Sequence, residues 1–160
     1  MVVWSTALAS HAINEDRLDA DFYKPGDLAH LARALNRGGK PLGDICRVLN
    51  GRTPATYSED GRLPVVRSGD LVNTLIYPGN GQPYLRTIPD PSYVSLQMGD
   101  VLISSIGMGS IGKVAIVTES ADFVTVSEVT ILRACPFAPE FLFSYLSTVV
   151  PQLTLGPPVA

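Results

Sequence analysis

The chain has 160 residues, 46% of them hydrophobic and 17% charged, which is enough apolar material for a core and too little charge for a disordered chain. Twelve Lys and Arg against fifteen Asp and Glu leave a net charge of −3, which excludes the uniform basic coat of many nucleic-acid binders. No apolar run reaches the roughly 18 residues of a membrane-spanning helix, while Gly 14 and Pro 13 point to many turns.

Residues 1–12 faintly imitate a secretory leader. No Lys or Arg precedes their apolar stretch, so they read as mature sequence of a soluble, cytoplasmic protein. Asp27 can cap a helix reaching about Arg37, because Leu28, Leu31, Ala32 and Leu35 recur at helical spacing. Gly38-Gly39 then stops it. From Pro41 the pattern changes to short strands broken by Asn50-Gly51, Asp60-Gly61, Gly79-Asn80-Gly81 and Gly99-Asp100. Residues 63–67, 71–76, 101–106, 113–117 and 123–133 are rich in β-branched side chains and are predicted as strands. In the last of these, Phe123, Thr125 and Ser127 alternate with Val124, Val126 and Glu128. A final helix opens at Pro139-Glu140 with the stripe Phe141, Leu142, Tyr145, Leu146 and Val149, and Pro151 is expected to end it. The expected fold is α+β: one domain of five to eight short, twisted and mostly antiparallel strands between an N-terminal and a C-terminal helix. Its divisions are an N-terminal segment 1–25, a main domain 26–150 and a tail 151–160.

Cys46 and Cys135 belong to no Cys/His cluster, which rules out a structural zinc site within the chain. One disulfide is the formal alternative, but their apolar surroundings and the expected compartment favour two free, buried thiols.

Gly107-Met108-Gly109-Ser110-Ile111-Gly112 spells the dinucleotide-binding pattern GxGxxG and follows a predicted strand. That pattern binds a pyrophosphate only when a helix opens at its last glycine, whereas Lys113-Val114-Ala115-Ile116-Val117 reads as another strand. A glycine-loop hairpin is therefore predicted. Asp90-Pro91-Ser92-Tyr93 resembles the motif with which amino-methyltransferases hold a flipped base, yet no alternation of parallel strands and helices accompanies it. A proline-bearing turn before a strand at residues 93–96 is the preferred reading. His11 and His30 are the only histidines, and Glu15-Asp16, Asp19, Asp21 and Glu59-Asp60 lie in polar, turn-like segments. No catalytic constellation, metal site or cofactor site emerges.

The net charge conceals an asymmetry. Residues 33–67 hold seven bases and three acids, a local +4, between a segment of −3 at residues 1–32 and one of −4 at residues 68–160. Six of the seven bases are arginines, the side chain suited to bidentate contact with phosphate and guanine. Arg52 and Thr53 follow Asn50-Gly51, and Arg67 and Ser68 precede Gly69-Asp70. Ser104 and Ser105 lead into the glycine loop that carries Ser110 and Lys113. These are the candidate anion-contacting residues; a solvated face paired with Asp44, Glu59 and Asp60 is the other reading.

Several strings, taken in order, resemble target recognition domains of type I restriction–modification specificity (S) subunits. They are Arg17-Leu18-Asp19-Ala20-Asp21-Phe22-Tyr23-Lys24-Pro25, Pro41-Leu42-Gly43-Asp44-Ile45, Asn50-Gly51-Arg52-Thr53-Pro54 and Leu63-Pro64-Val65-Val66-Arg67-Ser68-Gly69-Asp70-Leu71. Gly99-Asp100-Val101-Leu102-Ile103-Ser104, Gly109-Ser110-Ile111-Gly112-Lys113-Val114-Ala115 and Phe141-Leu142-Phe143-Ser144-Tyr145-Leu146 complete the set, which spans roughly residues 14–150.

The resemblance implies a domain that reads half of a bipartite double-stranded DNA site in the major groove and carries no catalysis or cofactor of its own. It implies docking to methyltransferase (M) subunits, which use S-adenosylmethionine, and through them to a restriction (R) subunit. Arg52, Thr53, Arg67, Ser68, Ser104, Ser105, Ser110 and Lys113 are the DNA-facing positions it suggests. S subunits resemble two such domains joined by long spacer helices, and residues 153–160 do not begin one. A second half-subunit or a second copy of the chain is therefore expected as a partner. The alternative function is that of a degenerate recognition domain acting as a protein-interaction and assembly module.

Overall fold

Pro25 opens the first helix among the described residues, α1 (Pro25–Asn36), ahead of the Asp27 cap expected from sequence. A proline suits the first helical position, where its missing N–H would have no partner and its φ is already helical. In the computed structural model, which describes residues 25–57, 63–71, 84–85, 93–107, 109–119 and 122–155, the chain divides into two units, Met1–Pro41 and Leu42–Ala160. Within the first unit, α1 ends where Gly38-Gly39 predicts. Gly38 N–H donates to the Leu35 carbonyl at 2.9 Å and Gly39 N–H to the Ala34 carbonyl at 2.9 Å, the paired bonds of a Schellman cap. The predicted apolar stripe does not become core: Leu31 is 43% and Leu35 50% exposed.

The second unit is α+β. After one helical turn, α2 (Leu42–Ile45), the described residues hold seven strands: β1 (Arg47–Asn50), β2 (Leu63–Val66), β3 (Tyr84–Leu85), β4 (Val101–Ser104), β5 (Val114–Ile116), β6 (Val124–Thr125) and β7 (Val129–Arg133). A 3₁₀ turn, Ser68–Asp70, follows β2, and the helix α3 (Pro139–Leu155) follows β7. The large sheet has the order β1-β7-β4-β5, antiparallel throughout. The small sheet has the order β3-β2-β6, with β2 and β3 antiparallel and β2 and β6 parallel.

The period-two alternation of strand side chains builds a core on each face of the large sheet. Leu102 of β4, Ala115 of β5, and Val129 and Ile131 of β7 turn one way and pack with Val65, Val66, Phe123 and Val124 of the small-sheet layer. Val101, Val114 and Leu132, one position along in their strands, turn the other way and meet Leu142 and Leu146 of α3. Register enforces the sorting, since Leu102 faces Ile131 and Val101 faces Leu132 across the β4–β7 ladder. Burial of Leu142 and Leu146 contributes about 1.5–3 kcal/mol each to seating the helix. Their predicted stripe partners Phe141 and Tyr145 point outward, 59% and 54% exposed.

Four expectations are corrected. Residues 123–133 form two strands rather than one. Val129 N–H donates to the Val126 carbonyl at 3.1 Å, a turn that moves the chain from the small sheet to the large one and leaves residues 123–126 buried in succession. Helix α3 runs through Pro151 to Leu155. A proline removes the one hydrogen bond to the carbonyl four residues earlier, yet its φ remains compatible with the helix on either side. Cys46 and Cys135 are joined in a disulfide. The pairing of Arg47 with Arg133 brings the residues flanking both strands together, a proximity that spacing in sequence does not reveal. Of the predicted strand at 71–76, only Leu71, which is buried, lies within the described residues. The strand expected at residues 93–96 is reduced to a single bridge between Ser95 and Val124.

Beneath the large sheet's far end, Asp100 is 1% exposed and accepts from Arg133 Nε at 2.8 Å and Nη2 at 2.6 Å. Asp100 also accepts the Gln97 N–H at 2.8 Å, and Arg133 donates to the Ser95 carbonyl at 2.8 Å. This buried fork ties residues 95–100 to the end of β7. The hydrogen bonds Arg133 donates to Asp100 are the main reason its guanidinium holds its proton above the ordinary arginine range.

Candidate nucleic-acid interface

Strand direction explains why residues scattered along the sequence meet. In the large sheet, β1 and β4 end where β5 and β7 begin, because neighbours run antiparallel. In the small sheet, β2 and β6 run parallel and end together. Gly51 N–H donates to the Val129 carbonyl at 3.2 Å and Arg52 N–H to the Thr125 carbonyl at 2.9 Å, which sews the two groups of strand ends into one edge.

Gly51 makes that seam by its lack of a side chain. A Cβ there would overlap the carbonyl oxygens of Thr125 and Val126. The close approach delivers Arg52 and Thr53 to the surface. The Arg52 guanidinium lies 5.3 Å from the centre of the Tyr93 ring, a cation–π distance. Thr53 Oγ1 is 2.6 Å from Ser127 Oγ, accepts the Ser127 N–H at 3.1 Å and donates to Glu128 Oε2 at 3.1 Å. A second chain of polar groups runs alongside. Thr130 Oγ1 lies 3.3 Å from Asn50 Oδ1 and 3.1 Å from Ser105 Oγ, and Ser105 Oγ donates to the Glu128 carbonyl at 3.2 Å.

Arg67 leaves the end of β2 and is held by Asp70 in the following 3₁₀ turn. Asp70 accepts the Arg67 N–H at 2.8 Å, Nε at 3.3 Å and Nη2 at 3.2 Å. The hydrogen bonds Arg67 donates to Asp70 keep the guanidinium protonated above its ordinary range. Tyr57, 45% exposed, lies within electrostatic reach of both Arg67 and Glu128. Its phenol is pushed above the usual tyrosine value mainly by burial and next by the negative charge of Glu128, with Arg67 opposing. It therefore stays a neutral hydrogen-bond donor through the physiological range.

The candidate residues thus separate by placement. Arg52, Thr53, Arg67 and Ser105 are exposed at the shared edge. Lys113, half-buried, stands at the start of β5 at the same end, its N–H bonded to the Ser110 carbonyl at 3.1 Å. Ser68 is half-buried in the 3₁₀ turn beside Arg67, and Ser110 sits in the glycine loop with its hydroxyl near the Ile106 and Gly107 carbonyls. Ser104 is fully buried; its hydroxyl donates to the Ile106 carbonyl at 3.2 Å, so it braces the loop from inside.

The glycine loop is the hairpin that its sequence predicts. Gly107, Gly109 and Gly112 all have φ between 83° and 120°, Gly112 N–H donates to the Ser104 carbonyl, and strand β5 follows in place of a helix. No helix N-terminus is offered to a phosphate there. Asn50, Tyr57, Tyr93, Ser127, Glu128 and Thr130 belong to the edge without having been expected there. Their one local signal is a side chain able to donate, accept or stack, and only the pairing of the strands shows that they adjoin. Among the described residues, no group of His, Cys, Asp and Glu is arranged to hold a metal ion, and no helix is long and apolar enough to cross a membrane.

Residues 39–154 match the family described as the type I restriction modification DNA specificity domain. The chain belongs to this family. Among curated proteins, none matches the sequence. Two solved structures share the fold. One is the HsdS subunit of Thermoanaerobacter tengcongensis, with 22% identity and a TM-score of 0.54 over 71% of this chain and 28% of that one. The other comes from work on complex assembly and conformational transition of the type I R-M system, with 22% identity and a TM-score of 0.53 over 70% of this chain and 27% of that one. The specificity domain described here therefore spans little more than a quarter of either structure's chain. The matched segment includes every strand among the described residues and all but the last residue of α3, so the edge assembled by the strand ends lies within the specificity domain itself.

Proposed function

We propose that this specificity domain reads one half of a bipartite site in double-stranded DNA, using the edge where the strand ends meet and no catalytic group of its own. The observation that carries the reading is the convergence of Arg52, Thr53, Arg67 and Ser105 at that edge, beside Tyr57 and Tyr93. Hydroxyls and guanidinium groups are the side chains that contact phosphates and base edges, and strands and loops can present them to a major groove. The acidic balance of the whole chain is compatible with this, because the bases concentrate between residues 33 and 67. Base reading here would direct an M subunit that modifies DNA with S-adenosylmethionine and an R subunit that cleaves it, in the cytoplasm. A second half-subunit or a second copy of this chain would supply the other half-site.

The decisive measurement is binding of the full chain to duplex DNA across a salt series, alone and with its M subunit. Affinity should fall linearly with the logarithm of salt concentration, since each neutralised phosphate releases counterions. Binding indifferent to salt, or none at low salt with the M subunit present, would overturn the reading.

A further inference from the structure

Glu128 stands out at this edge because it carries the wrong charge for a surface that meets phosphates. It occupies the turn between β6 and β7, half-buried, with Oε2 3.1 Å from Thr53 Oγ1 and 3.3 Å from Ser127 Oγ. Each hydroxyl holds one proton, so two of the three close pairs in this triangle are hydrogen bonds at any moment. The carboxylate is thereby fixed in direction, while Oε1 accepts no hydrogen bond from the described residues. The neighbouring cation at Arg67 is engaged by Asp70 rather than by Glu128.

A fixed carboxylate on a DNA-facing edge is a selective device. It is repelled by phosphates, and it has nothing to gain from guanine O6 and N7 or thymine O4, which are all acceptors. In the major groove only the exocyclic amino groups, cytosine N4 and adenine N6, can donate to it. Resting on the DNA-reading role proposed above, we propose that Glu128 is a specificity-determining residue that accepts a hydrogen bond from the exocyclic amino group of one base, with cytosine the preferred partner. Thr53 and Ser127 are its positioning residues. They hold Oε2 so that Oε1 projects, and Thr53 couples it to the loop that carries Arg52.

The test compares binding sites selected from a randomised duplex pool by the full chain, wild type and Glu128→Gln, with the M subunit present. The glutamine can still accept from both hydroxyls and so preserves a purely structural brace. The expected result is a wild-type preference for C, or for A, at one position that falls about tenfold in Glu128→Gln, with the other positions and the salt slope unchanged. Thermal unfolding of each variant checks that it folds. If Glu128→Gln fails to fold, Ser127→Ala should blur the same position by loosening the carboxylate. An unchanged site with equal or uniformly tighter binding in both variants would overturn the assignment and leave Glu128 as a brace. A wild-type chain that enriches no sequence at all would instead remove the DNA-reading role, and this assignment with it.

Discussion

The Arg52 guanidinium and the Tyr93 ring lie face to ion at 5.3 Å, joining the loop after β1 to a segment 41 positions later in the sequence. Stacking restricts the guanidinium plane before any ligand arrives, which reduces the side-chain entropy lost on binding. Arg52→Ala is expected to weaken binding to the selected duplex by about 1–3 kcal/mol if it contacts a guanine. Arg52→Lys should retain affinity for random duplex but lose discrimination, because an ammonium cannot make the bidentate contact. Parallel titrations of selected and random duplexes check both.

Gly51→Ala tests the seam between the two groups of strand ends. Its new methyl would meet two backbone carbonyls, at Thr125 and Val126, which cannot step aside as a flexible side chain could. The loop bearing Arg52 and Thr53 must lift, breaking the bonds to the Val129 and Thr125 carbonyls. DNA binding should fall at least as far as in Arg52→Ala, with a Tm lowered by several degrees, an outcome read by calorimetry and binding on the same preparation.

Asp100→Ala would leave the Arg133 guanidinium under the sheet without its carboxylate. Removing one partner of so enclosed a pair costs about 3–5 kcal/mol, roughly 10 °C in Tm for a chain of this size. The Gln97 contact goes with it and the Arg133 bond to the Ser95 carbonyl loses its anchor, so amide hydrogen exchange should rise first across residues 95–100. An unfolding temperature within 2 °C or so of wild type would show that the fork contributes little.

The Cys46–Cys135 disulfide closes a loop with a sequence separation of 89. Constraint of so long a loop in the unfolded chain stabilises by about 2–4 kcal/mol. Thiol titration of denatured, unreduced protein should find no free thiol from this pair. Reductant should lower the unfolding temperature of the wild type and leave Cys46→Ser unaffected.

Tyr57 supplies a pH signature. Its folded-state value is raised above the ordinary 10.0, so the phenol's contribution to stability is fully present below about pH 10 and is lost as pH rises through the folded value. The ultraviolet titration of wild type minus Tyr57→Phe should isolate a phenol ionising late. Glu128→Gln removes the second-largest cause of the shift and should bring that ionisation back toward 10, while burial keeps it from returning fully.

What the sequence discloses and what it hides follow from range. The Gly38-Gly39 helix stop, the glycine-loop hairpin and the β-branched strands at residues 63–66, 101–104 and 114–116 are local chemistry, and the structure repeats them. The split of residues 123–133 has no glycine or proline to announce it, because the turn at Ser127-Glu128 exists to change sheets, a tertiary cause. The same limit applies to the edge. Arg52, Thr53, Arg67 and Ser105 were legible as donors in polar loops, but Glu128 and Tyr57 become relevant only once β6, β7 and the loop after β1 are side by side. Ser104 errs in the opposite direction: one residue from an exposed serine on a strand is one turn of the pleat into the core.

One of the two inner strands of the large sheet, β7, is also the last of its strands to be made. β1 and β4 both pair with it, and among the described residues β1 has no other neighbour in that sheet. On a ribosome adding about 5–20 residues per second, β1 therefore waits for seconds without a partner while some eighty further residues are polymerised. Within the large sheet, the β4–β5 hairpin alone among the described strands can close from local contacts in that interval. The large sheet is thus assembled late and from both sides at once, when a single five-residue strand slots between two that have been waiting for it.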